Sequence, residues 1–133
     1  MSDKAASGKP GISVIGKKNP NLPFHPAVRA GDFIFISGQV PKDENGNMFS
    51  GTIEEETRWC IEAVRRALKE AGADLEDVVK ATVYLEDARD FGRYNGVFAK
   101  HFPNAALART TVEARAVINT KIEIDAVAYK PVK

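Results

Sequence analysis

Apolar residues recur along this chain in two rhythms, and each change of rhythm marks the boundary of an element. Ile12 to Ile15 forms a short apolar segment of edge-strand type. Behind it, NPNLPFHP packs three prolines into eight residues, which excludes regular structure and predicts a loop. Ala27 to Arg29 and Phe33 to Gln39 then flank Ala30-Gly31-Asp32, a connection of hairpin length between two β-rich runs. Pro41 ends the second of these strands, and Asn45-Gly46 supplies a turn in a loop that runs to Gly51.

From Ile53 the spacing changes from two to three and four. Ile53, Thr57, Cys60, Ile61, Val64, Leu68 and Ala71 share one side of a helix that opens at Thr52. Glu55, three residues on, completes a reciprocal cap, and Gly72 offers the left-handed conformation that closes the helix. Glu54 with Arg58 and Glu62 with Arg66 stand four apart on the opposite side, pairs that contribute a few tenths of a kcal/mol each, roughly. Asp74 to Asp77 reads as a polar turn, and Val78 to Leu85 is a β-branched run expected to be a strand. A second helix is predicted over Ala88 to His101, with Phe91, Tyr94, Asn95, Phe98 and Phe102 on one side and Pro103 as its stop. Strands over Leu107 to Ala114 and Lys121 to Tyr129 end the chain, joined by a connector containing Asn119 and Thr120.

The pattern predicts an α+β domain in which two helices cover one face of a sheet. Phe33-Ile34-Phe35-Ile36 is apolar at both parities. On the last strand Ile122, Ile124, Ala126 and Ala128 stand opposite Val127 and Tyr129, so both faces call for burial. No segment remains to form another layer, and further copies of the chain, in closed symmetry, are the expected cover.

With 133 residues, 44% of them hydrophobic and 28% charged, one domain over residues 12–133 is expected, behind a flexible tail over residues 1–11 that lacks the apolar core of a signal peptide. Nineteen Lys and Arg against eighteen Asp and Glu leave a formal charge of +1, which argues against a nucleic-acid partner. The single cysteine, Cys60, cannot close an internal disulfide, and one Cys with two separated histidines makes no usual zinc set. No stretch approaches the roughly 20 apolar residues of a membrane-spanning helix. A cytoplasmic protein without metal is the expectation.

Five segments, in order, carry a family resemblance from about Pro23 to Tyr129: FIFISGQVP at Phe33 to Pro41, EAVRRALKEAGADLEDVVKATVYL at Glu62 to Leu85, YNGVFAKHFP at Tyr94 to Pro103, ARTTVEA at Ala108 to Ala114 and KIEIDAVA at Lys121 to Ala128. Together they resemble the RidA/YjgF family of reactive intermediate deaminases. The resemblance implies a chorismate-mutase-like RidA fold, a homotrimer with a barrel-like centre, and ligand clefts between subunits. It also implies hydrolysis of 2-imino and enamine acids to 2-keto acids and ammonia without metal or cofactor.

Arg109 matches the family's carboxylate-binding arginine. A strand-borne guanidinium presents two parallel donors to a planar acid group, which lysine does less well. Glu123 matches the family's glutamate and is expected to activate a water for attack on the C=N carbon. Ser37 and Gly38, at the end of the hairpin strand, are expected to line the cleft, the glycine by letting a ligand approach the backbone. Thr111 shares the parity of Arg109. Asn95 is an amide on the apolar side of helix two, expected to be buried and bonded, supporting the cleft.

Phe24 stands where many relatives present a tyrosine, and Thr111 where several have cysteine. The Arg115 to Thr120 connector lacks their Leu-Pro step and is shorter by one residue. These departures bear on substrate preference. His25 lies between Phe24 and Pro26, and His101 at the end of helix two suits the helix dipole, so neither is assigned to the chemistry. Cys60 and Trp59 are expected to pack. Against the deaminase stand a non-catalytic trimeric module that binds keto acids in the same clefts, and a ribonuclease or translation inhibitor, which the near-zero charge and the lack of a catalytic His pair disfavour.

Overall fold

The computed structural model describes residues 5–132. In chain order its elements are β1 (Ala5–Ala6), β2 (Ile12–Ile15), β3 (Ala27–Ala30), β4 (Phe33–Gln39), α1 (Ile53–Glu70), β5 (Val78–Leu85), α2 (Phe91–His101), β6 (Ala108–Glu113) and β7 (Ile122–Tyr129). The seven strands form one sheet in the order β1-β2-β3-β4-β7-β5-β6. All pairings are antiparallel except that of β5 with β6. A parallel pair needs a crossover, and α2 is that crossover.

The predicted β3–β4 hairpin forms with Val28 opposite Phe35 and Arg29 opposite Ile34. Of the tail expected over residues 1–11, residues 1–4 lie outside the described residues, while Ala5 pairs with Val14 and Ala6 with Ser13. That pairing occupies part of an edge that β2 would otherwise leave bare. The terminal strands are not neighbours, because β5 lies between β6 and β7.

Helix α1 opens as predicted, with Thr52 and Glu55 completing a reciprocal capping box. Ile53, Thr57, Cys60, Ile61, Val64 and Leu68 are buried, and α1 packs on β4 and β7. The expected i,i+4 ion pairs do not form among the described residues. Arg66 instead donates to the Lys42 carbonyl at 2.7 Å, and Glu62 faces Arg65 at 3.7 Å. A charge-assisted bond to a loop carbonyl outweighs an exposed ion pair worth a few tenths of a kcal/mol, roughly. The predicted second helix begins later than Ala88. Asp87 accepts from the Arg89 amide and holds Ala88–Asp90 in a 3-10 turn, after which α2 runs from Phe91.

One acid on α1 is buried although its position looks polar. Glu56 is 2% exposed and accepts from the Gly51 amide at 3.1 Å and the Lys121 amide at 2.9 Å, with Lys121 Nζ at 3.5 Å. It ties the start of α1 to the connector ahead of β7. Removing it orphans two backbone donors, so Glu56→Ala is expected to lower the unfolding free energy by about 2–4 kcal/mol in urea titration.

The sheet keeps one bare face, as the pattern required. Ile34, Ile36, Ile122, Ile124, Ala126 and Ala128 are buried on the helix side. On the other side Phe33, Phe35, Val79, Val112 and Tyr129 remain 40–47% exposed, and the rings of Phe33 and Tyr129 meet edge to face at 5.2 Å. Phe33, Phe35 and Tyr129 group at one end of this face, and an exposed apolar cluster of this kind marks an interaction site.

Candidate functional site

Strand alternation puts Arg109 and Thr111 on the helix side of β6, opposite Ala81 and Val83 of β5. There the Arg109 guanidinium meets the aromatic stripe of α2. Its Cζ lies 4.9 Å from the ring centroid of Tyr94, 4.8 Å from Phe98 and 5.8 Å from Phe91. No carboxylate stands within ion-pair distance of Arg109 among the described residues. The rings hold the guanidinium through their negative faces and leave its N–H donors available.

The same rings anchor β6 to α2. Tyr94 is fully buried, and its hydroxyl shares a 2.7 Å hydrogen bond with Thr111 Oγ1. Burial raises the Tyr94 pKa, against the opposing pull of the Thr111 bond and the Arg109 charge, so the phenol stays protonated at neutral pH. Thr111 therefore spends its hydroxyl on Tyr94. Asn95 departs from expectation: it is half-buried, with no hydrogen-bond partner among the described residues. Its amide lines a cavity of about 670 Å³ together with Phe98, Phe102, Leu107 and Arg109. One residue past Tyr94, and so about 100° further round the helix, Asn95 turns toward this cavity instead of the core.

Glu123 lies on the bare face, opposite Tyr84 of β5. Burial raises its pKa first, and the like charge of Asp125, two residues along the same face, raises it further. Tyr84 donates to Asp125 Oδ2 at 2.9 Å, which keeps that second acid beside Glu123. Gly38 explains itself here. A β-bulge displaces the register of β4 between Ile36 and Gln39, and a Cβ on Gly38 would collide with Glu123 Oε2. Ser37, in the bulge, donates its hydroxyl to the His25 carbonyl at 2.7 Å. That bond pins the proline-rich loop carrying Phe24, whose ring is half exposed.

The seven residues singled out in the sequence thus form two groups. Arg109, Thr111 and Asn95 sit with α2 on the helix side at the β6 edge. Glu123, Gly38 and Ser37, with the Phe24 loop nearby, belong to the bare face around β4 and β7. Within one chain Arg109 and Glu123 project to opposite sides of the sheet with β5 between their strands. The two remaining histidine and thiol candidates lie elsewhere. His101 bonds Val97 O through Nδ1 and approaches Glu62 at 3.8 Å, while Cys60 is fully buried, donates to Gln39 O and has its thiol pKa raised by desolvation. Trp59 packs on Phe49 with centroids 5.9 Å apart. Among the described residues no three His, Cys, Asp or Glu side chains are grouped to hold a metal.

Sequence reading missed the aromatic cradle. Phe91, Tyr94 and Phe98 have core-like helical spacing, and only the proximity of β6 reveals that they enclose a cation. It also missed the Tyr84–Asp125 pair, because cross-strand register is invisible in local pattern.

Comparison with known proteins places the chain. Residues 16–130 match the family model described as Endoribonuclease L-PSP. A RutC family protein of Pyrococcus abyssi is 44% identical over 113 residues, covering 84% of this chain and 89% of that one. Reactive Intermediate Deaminase A, chloroplastic, of Arabidopsis thaliana is 36% identical over 108 residues, 80% of this chain and 58% of its own. Among solved structures, E. coli TdcF with bound serine superposes with a TM-score of 0.79 at 26% identity, covering 88% of this chain and 98% of that one. The chain belongs to the RidA/YjgF/endoribonuclease L-PSP family, and its α+β architecture is the one seen in those structures.

Proposed function

We propose that the protein hydrolyses reactive 2-imino acids and their enamine tautomers to 2-keto acids and ammonia, in sites completed between copies of the chain. The observation that carries this reading is the Arg109 guanidinium, held by rings alone beside an open cavity, while the candidate base Glu123 of the same chain faces the other side of the sheet. A bare apolar face on each copy supplies the means of joining the two halves. A relative named as a reactive intermediate deaminase and another solved with a bound amino acid support the same ligand class.

In the proposed reaction Arg109 binds the substrate carboxylate through two parallel N–H donors. Glu123 of a neighbouring copy takes a proton from water as the water oxygen attacks the imine carbon and the C=N π electrons move to nitrogen. The resulting carbinolamine receives the proton from Glu123 on nitrogen. Glu123 then carries the remaining hydroxyl proton to the nitrogen as the C–N bond breaks and C=O forms, so ammonia leaves and water plus imine balance keto acid plus ammonia. The raised pKa of Glu123 suits a group that first accepts and then returns a proton.

The direct test couples an amino-acid oxidase, which releases imine, to detection of keto acid. Adding the protein is expected to speed keto-acid appearance. No acceleration with any amino acid, alongside thermal stabilisation by keto acids, would replace the enzyme with a binding module. Gly38→Ala probes the Glu123 half. The added methyl must push the carboxylate aside, so a loss of about tenfold or more in kcat/KM is expected with little change in thermal midpoint.

A further inference from the structure

We infer that the preferred substrates carry a bulky apolar side chain, branched or aromatic, and that the wall formed by α2 and the 102–107 loop selects them. The inference rests on the reading of Arg109 as carboxylate anchor and names what lies beyond that anchor. The cavity into which Arg109 opens is walled by Phe98, Ala99, Phe102, Pro103 and Leu107. Arg109 is its one ionisable lining residue, and Asn95 its one neutral polar side chain. Phe98 and Phe102 stack at 4.4 Å with 21° between their planes, and Phe102 and Leu107 pack against the buried core. The wall is therefore a firm apolar surface adjoining the guanidinium.

On one copy the cavity measures about 670 Å³, and the part along α2 and the 102–107 loop that stays clear of the neighbouring copy is the apolar part. A hydroxyl placed against this wall has only the Asn95 amide to replace its water. Each methylene buried there is expected to improve binding about fourfold. An isobutyl or benzyl side chain gains several such steps over methyl. Because the cavity is open on one side, a preference of roughly tenfold or more is expected in place of the full product of those steps.

Two readouts on the intact protein decide this. The first compares kcat/KM for imines released by an oxidase from leucine and phenylalanine with those from alanine and serine. The second compares, by calorimetry, the affinity for 4-methyl-2-oxopentanoate and phenylpyruvate with that for pyruvate and hydroxypyruvate. A bulky-to-small ratio of tenfold or more in either readout is expected, and Ala99→Phe, an exposed position on α2, is expected to bring that ratio within about threefold of one. Ratios near one, ratios favouring the small acids, or a ratio unmoved by Ala99→Phe would overturn the inference. If no imine is hydrolysed, the deaminase reading falls while the calorimetric ratio still decides the selectivity.

Discussion

Replacing Arg109 with alanine is expected to lower kcat/KM for imine hydrolysis by about 10²–10³-fold and to weaken keto-acid binding in parallel. The guanidinium carries no competing ion pair among the described residues, so its two donors are committed to nothing but a ligand. Its rings hold it from behind at 4.8 Å and 4.9 Å. The structural cost of the change is limited to about 1 kcal/mol of cation–π contact, and the variant should fold. Arg109→Lys keeps the charge but gives up the planar fork, and an intermediate loss is expected. Wild-type activity in Arg109→Ala would end the assignment of the carboxylate anchor.

Glu123→Gln is expected to cost about 10²–10⁴-fold in kcat while leaving keto-acid affinity within a few-fold of wild type, since glutamine keeps the shape and cannot accept the proton. The sign of the pH dependence follows from the surroundings. Burial and Asp125 both hold the Glu123 pKa above the ordinary carboxylate range, so the basic form, and with it kcat/KM, is lost on the acid side at a higher pH than for a free carboxylate. Asp125→Asn removes the like charge, lowers the Glu123 pKa and should move that acid limb to lower pH. A limb that stays in place, or moves upward, contradicts the role of Glu123 as base.

These two variants also test where the site is assembled. Because Arg109 and Glu123 point to opposite sides of one sheet, each dead variant lacks a different half of the site. Mixed assemblies made by co-expressing Arg109→Ala with Glu123→Gln would contain some clefts with an intact Arg109 from one copy and an intact Glu123 from the next. With random mixing in a ring, about a quarter of the clefts are complete, and about a quarter of wild-type activity is expected. No recovery would mean that the two residues do not serve one site between copies.

Much of the fold was legible in local pattern because local physics sets it. Thr52 and Glu55 satisfy each other's backbone amides wherever the helix goes, and Gly72 closes α1 with a φ of 83° that few other residues adopt cheaply. Runs rich in β-branched and aromatic residues supplied β3, β4, β5 and β7, and the apolar residues at both parities of β4 fit the bare sheet face that is found. The expected ion pairs on α1 failed because Arg66 found a carbonyl from a distant loop. Glu56 was missed because its partners, Gly51 and Lys121, reach it from two separate turns.

The chain's own pattern determined which segments are helix or strand, since those depend on neighbours within a few positions, and the family resemblance named the candidate site residues. Only the tertiary structure decided how they combine. Insertion of β5 between β6 and β7 fixes which face each strand presents, and that register sends Arg109 under the rings of α2 and Glu123 to the open side against Gly38. A strand's alternation names two sets of side chains, but which set meets a helix is settled by pairings between residues far apart in the chain.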